Sequence, residues 1–168
     1  MPGHPPESLQ QATESEYGPD YKGHLLEQYR IFVEMADKIS DRRTLTNRYF
    51  FAINSIFIAA LGVLTQLESA LMFNLALFVI TGIGIIFCYL WRTLIVEYMN
   101  LNTMKFAIIQ EMESLLPLKP YTYEWFKLRF GKDSRKYLPF SHIEMRVPYM
   151  MIMFYIAVLL IGVFCSYR

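Results

Sequence analysis

The chain has 168 residues, of which 54% are hydrophobic and 16% aromatic, and its mean hydropathy is +0.26. That is too apolar for an ordinary soluble domain of this length and indicates a membrane protein. Sixteen Lys+Arg against fifteen Asp+Glu leave a net charge of +1, which argues against a surface built to neutralise many phosphates, so no nucleic-acid partner is expected.

The opening MPGHPPESLQQATESEYGP holds three prolines by position 6 and almost no bulky aliphatic side chain. It cannot bury enough apolar surface to offset chain entropy, so residues 1–20 are expected to be a disordered tail. The stretch also lacks the basic start, apolar run and cleavage site of a signal peptide. Residues 21–48 read as a cytoplasmic amphipathic helix. Within them Leu25, Tyr29, Phe32, Ala36 and Ile39 follow a four-three-four-three spacing, the apolar seam of a coiled coil and a candidate assembly seam.

Two apolar runs follow, 49–67 (YFFAINSIFIAALGVLTQL) and 70–91 (ALMFNLALFVITGIGIIFCYLW), neither with a charged side chain. At 1.5 Å per residue, about 20 helical residues cross a hydrocarbon layer of about 30 Å, so both are predicted transmembrane helices. Cations and rings mark the water boundary, making Arg48, Trp91, Arg92 and Arg146 candidate lipid head-group contacts. Asn47, Asn54 and Thr65 share roughly one helical face, and such groups turn toward protein or water. The face is expected either to hydrogen-bond between helices or to line a central opening. Without Asp, Glu, Lys or Arg in a span, a proton relay, voltage sensor or coupled transporter is not expected. Gly82-Ile83-Gly84 reads as a close-packing notch.

Residues 92–116 form a predicted cytoplasmic helical extension in which Leu94, Tyr98, Leu101, Ile108, Met112 and Leu115 keep an apolar rhythm broken by Lys105. No proline lies between Lys22 and Leu67 or between Ala70 and Leu116, so each stretch can be one helix about 70 Å long. The expected architecture is an all-α membrane protein: a long helical hairpin with two transmembrane spans extended into a cytoplasmic stalk. Leu26, Val33, Met35, Ile95, Met104 and Ile109 widen both stripes beyond what one partner helix covers, which predicts self-association.

Residues 117–147 change texture and read as an aromatic-rich cytoplasmic cap. Tyr121, Tyr123, Trp125, Phe126 and Phe130 supply apolar area, and Lys127, Arg129, Lys132, Arg135 and Lys136 suit either anionic lipid head groups or a cytoplasmic protein partner. Ser141 with Glu144 reads as a capping box that starts a short helix. The last run, 148–167 (PYMMIMFYIAVLLIGVFCSY), is a third transmembrane helix or a re-entrant one opened by Pro148. Residues 1–48 carry six Lys+Arg, 92–147 carry nine and the 68–69 turn none, which places the N-terminus and residues 92–147 in the cytoplasm.

The chemical motifs are thin. Arg135 and His142 are separated by six residues, the spacing of a class of metal-independent ribonucleases, whose histidine moves protons while the arginine stabilises the phosphate. Pro139 between them keeps the segment from being one regular helix, which favours a structural role for His142. The three histidines, His4, His24 and His142, show no metal-ligand spacing. Under the predicted topology Cys88 and Cys165 lie most of a bilayer apart, which argues against an intrachain disulfide. No cofactor and no enzymatic activity are expected.

The order of YKGHLLEQYRIFVEMADKISDRR, two spans, YLWRTLIVEYMNLNTMKFAIIQEMESLLPLKPYTYEW, GKDSRKYLPFSHIE and a last apolar run resembles the RipA family of small octameric bacterial inner-membrane proteins, over roughly residues 21–167. The resemblance implies a homo-oligomeric, octameric cytoplasmic-membrane assembly without a well-defined reaction. The general design is also similar to the membrane accessory protein of type VI-B CRISPR systems, a pore-like oligomer of antiphage defence. The expected function is therefore a pore-like assembly or a stress- or defence-related membrane scaffold. The alternatives are a membrane-anchored adaptor for a cytoplasmic partner and a membrane-tethered ribonuclease.

Overall fold

The computed structural model describes residues 9–128 and 140–166, without the side chains of residues 140–142 and 166. The described residues form helices and no strand: α1 (Glu14–Tyr17), α2 (Tyr21–Leu64), α3 (Ala70–Glu113), α4 (Pro120–Lys127) and α5 (Phe140–Ser166). Three of them are long and apolar enough to cross a membrane: α2, α3 and, within α5, Ile143–Cys165.

Local chemistry explains the boundaries. α1 is one turn inside the stretch read as tail, where the Thr13 N–H donates to Glu16 Oε2 at 2.8 Å. Gly18 then takes a φ of +94°, a backbone region that costs a side-chain-bearing residue energy but not glycine. α2 tightens into a last turn in which the Gln66 N–H donates to the Val63 carbonyl. Beyond α3, the Leu116 N–H donates back to the Glu113 carbonyl, and Pro117, which has no N–H to continue the ladder, follows. α4 begins with a proline at its first position, where the missing N–H is not needed. α5 starts upstream of Pro148 and carries it inside the helix. The third apolar element is thus longer than the 148–167 run, and Ser141 lies within the helix instead of capping it.

The chain divides into two compact units, Met1–Ser40 with Asn100–Leu138, and Asp41–Met99 with Pro139–Arg168. In the first, α2 turns Leu25, Tyr29 and Phe32 partly inward and buries Ala36 and Ile39. From α3, Ile109 and Met112 are buried and Asn102 and Lys105 half-buried. The Lys105 ammonium lies 4.4 Å from the centroid of the Phe32 ring, a cation–π contact that lets a lysine occupy an inward position. The apolar rhythm expected on α3 therefore straddles two faces. Leu101 is 47% and Met104 63% exposed, whereas Ile109, expected to widen the exposed stripe, is fully buried.

The second unit packs three helical segments, each with a four-three inward spacing. These are Arg43, Asn47, Phe50, Asn54, Phe57, Leu61 and Leu64 on α2, and Leu77, Thr81, Gly84, Cys88, Trp91 and Ile95 on α3. On α5 the buried positions are Glu144, Pro148, Tyr155 and Gly162. The repeat keeps one face of each helix turned to its neighbours. Glycine earns its position where α3 meets α5: a Cβ on Gly84 would lie 2.7 Å from the Tyr155 ring, while one on Gly82 would meet nothing within 4 Å. Within the subunit the predicted notch is thus Gly84 alone. Gly162 makes the reciprocal close approach to Leu77.

Candidate functional site

The second unit holds its polar groups in two layers. In the first, Asn54 on α2 is 0% exposed. Its Nδ2 donates to the Phe50 carbonyl at 2.8 Å. Its Oδ1 accepts from the Tyr155 hydroxyl on α5 at 2.9 Å and from the Cys88 thiol on α3 at 3.2 Å. One carboxamide thus joins three helices where no water replaces a lost partner. Thr81 satisfies itself, donating to the Leu77 carbonyl one turn back at 2.7 Å.

The second layer centres on Glu144 of α5, 9% exposed. Its Oε1 accepts from Asn47 Nδ2 at 3.0 Å, and its Oε2 pairs with Arg43 Nε at 3.3 Å. Asn47 Oδ1 in turn accepts from the Trp91 indole N–H at 2.9 Å. The Trp91 ring stacks on Phe50 with centroids 5.9 Å apart and planes 6° from parallel. Burying a carboxylate is costly unless it is paired and hydrogen-bonded, and here a cation and an amide do both.

The first unit contains a second buried carboxylate. Glu113, the last residue of α3, accepts from the Tyr121 N–H at 2.8 Å, the Thr122 N–H at 2.9 Å and the Thr122 hydroxyl at 2.7 Å. These N–H groups open α4, whose N-cap residue Lys119 makes no side-chain cap bond. Glu113 is therefore a remote N-cap, satisfying orphan donors and complementing the positive end of the helix. The Tyr29 hydroxyl adds a contact at 3.3 Å. Burial pushes the Glu113 carboxyl upward, but the bonds from Thr122, Tyr121 and Tyr29 outweigh it and hold the group below its ordinary range. Burial, then the Glu113 charge, raise Tyr29 to about 12.

The structure brings Asn47 and Asn54 into these layers and leaves Thr65 exposed, donating to its own helix at Gly62. Trp91, expected at the head groups, is buried with its N–H committed to Asn47. Arg48 and Arg146 are exposed, and Arg92 Nε donates to the Tyr149 hydroxyl at 2.5 Å. Leu25, Tyr29, Phe32, Ala36 and Ile39 are turned into the first unit. Arg135 and the side chain of His142 lie outside the described residues. Cys88 and Cys165 are free thiols, and no group of three metal-ligating side chains occurs among the described residues. Glu144 was missed as a buried carboxylate because its partner Asn47 is remote in sequence, and Glu113 because its partners Tyr121 and Thr122 lie in the next helix, beyond the proline-bearing turn; the available signal was a Glu on the inward register of an apolar helix, which must find a partner.

Residues 26–164 match the model of a family described as the octameric membrane protein family, 8xMP. The chain belongs to that family. Membership bears out the resemblance to octameric membrane proteins, and with the three apolar helices it makes this a self-associating membrane protein. The buried layers are thus the interior of one 8xMP subunit. Neither the curated proteins nor the solved structures gave a match.

Proposed function

We propose that eight copies form a pore-like assembly in the bacterial inner membrane, closed at rest, that serves a membrane stress or defence response without enzymatic chemistry. The N-terminal segment and residues 92–147 face the cytoplasm in this reading, which the distribution of Lys and Arg supports. The family match supports the eight copies, and the internal commitment of Asn47, Asn54 and Thr81 supports the closed resting state. With these groups bonded inside the subunit, a passage between subunits would be walled largely by apolar side chains, and such constrictions stay closed by dewetting until they widen. The outward Leu26, Met35, Leu101 and Met104 supply apolar surface for neighbouring copies to cover.

The test is ion flux from liposomes carrying the assembled full-length protein. The reading expects tight vesicles at rest and flux when the bilayer is stretched, since widening is what rewets an apolar constriction. Tight vesicles under every condition would overturn the pore and favour a membrane-anchored adaptor. That second reading draws on the exposed Tyr123 and Phe126 of α4, a surface suited to a soluble protein.

A further inference from the structure

Along α2, Thr44, Asn47, Arg48, Phe51 and Ala52 recur at spacings of three and four and form one wall of a groove of about 470 Å³, completed by Trp91, Glu144 and Val147. That volume lies within the range of small-molecule sites. The wall runs about 12 Å from Thr44 to Ala52 at the helical rise, and its polarity changes in one direction. Thr44, Arg48 and Glu144 occupy the end toward the preceding segment, while Phe51, 58% exposed, and Ala52 continue into the apolar run. Trp91 forms a rigid part of the lining, fixed by its bond to Asn47 and its stacking on Phe50.

The charges at the polar end do not cancel. Glu144 is paired with Arg43, whereas Arg48 is exposed and makes no ion pair among the described residues. One unmatched guanidinium therefore stands at the start of the apolar run, with apolar groove wall immediately beyond it on the membrane side. A neighbouring helix with an apolar flank would leave this cation unmatched. An amphiphile with an anionic head and a hydrocarbon tail satisfies both ends, in the orientation that a bilayer imposes.

We propose that this groove binds one anionic phospholipid per subunit, its phosphate on the Arg48 guanidinium and one acyl chain along Phe51, Ala52 and Val147. Arginine suits the phosphate because its planar fork presents paired donors. The site stands independently of whether the assembly conducts.

The test is native mass spectrometry of the full-length assembly taken from nanodiscs of phosphatidylglycerol or of phosphatidylcholine, with retained lipid counted per subunit. One phosphatidylglycerol per subunit and little phosphatidylcholine are expected. Arg48→Gln should weaken retention about tenfold, the scale of one charge-assisted contact. Arg48→Lys should retain part of it, and Ala52→Trp should displace the lipid with the cation intact. Arg146→Gln alters an exposed cation next to Val147 that is expected at the head groups but does not line the groove, so it should leave the one tightly held lipid in place. Equal retention by Arg48→Gln and wild type, or equal losses from Arg48→Gln and Arg146→Gln, would overturn the site. Efficient cross-linking between chains at Phe51→Cys would also overturn it, by showing that a second copy fills the groove.

Discussion

The Tyr155 hydroxyl on α5 meets the Asn54 carboxamide oxygen on α2 at 2.9 Å, across 101 positions of sequence. The contact is possible because Gly84 on α3 has no side chain where the Tyr155 ring lies, and Cys88, one turn further on, points its thiol at the same oxygen. Small residues on one helix thus admit a large ring from another, which delivers a donor to a third.

This arrangement predicts a coupled pair. Asn54→Leu leaves the Tyr155 and Cys88 donors unsatisfied and should destabilise the detergent-solubilised protein more than Tyr155→Phe does. The double-mutant cycle should return a coupling of about 0.6 to 2 kcal/mol, the range for hydrogen bonds between membrane helices. Strict additivity in thermal unfolding would mean that the two residues do not interact.

The glycines give a sharper contrast. Gly84→Leu should abolish accumulation of well-behaved protein, whereas Gly82→Leu, with nothing within 4 Å of its Cβ, should be tolerated. Pairing Gly84→Leu with Tyr155→Ala should recover part of the yield. Equal behaviour of the two leucine variants on a sizing column would contradict the packing at Gly84.

Much of this framework was legible in the sequence, and the reason is periodicity. Leu25 to Ile39 show their inward face because apolar residues there recur without polar competitors. The same reasoning misplaced the face of the α3 extension, since the inward register there includes Asn102 and Lys105, and an apolar-only pattern drifts onto Leu101 and Leu115. Asn54 announced itself as a polar group on a span. Its partners did not, because nothing local to Tyr155 or Cys88 encodes a contact made 101 or 34 positions away. Glu144 suffered most: its spacing from Ser141 suggested a local cap, while its bond is to Asn47, 97 positions earlier.

The buried carboxylate in the first unit makes stability depend on pH. Glu113 has its folded pKa depressed, so its contribution is present above the unfolded carboxylate value and is lost as pH falls through the folded one. Acid unfolding of wild type should therefore show a loss that Glu113→Gln lacks, while at neutral pH the variant should be less stable by about 1 to 3 kcal/mol. Tyr29 runs the other way: raised to about 12, its contribution is complete below the unfolded tyrosine value and disappears as pH rises through the folded one. Parallel acid profiles for wild type and Glu113→Gln would refute the remote cap.

Inward and outward positions of the first unit should separate folding from assembly. Ile39→Asp places a carboxylate in a buried position and should unfold that unit, a penalty of several kcal/mol. Met104→Asp, at an exposed position, should leave helicity by circular dichroism unchanged and reduce the size of the assembly. A Met104→Asp protein of full wild-type size would remove this face from the subunit contacts.

Orientation is checked by fusions. A reporter active only in the cytoplasm should work when inserted near Lys132 and fail at Ser69, because nine Lys+Arg lie in residues 92–147 and none in the 68–69 turn. The reverse pattern would invert the assignment, and a cytoplasmic signal at Arg168 would mean that α5 does not cross.

The central claim is an eight-copy membrane assembly, and the mass of the intact detergent-extracted complex tests it most directly. Native mass spectrometry should find eight chains of 19.8 kDa in one closed species. A folded protein that remains monomeric or dimeric at every concentration, with its helices intact, would contradict the account.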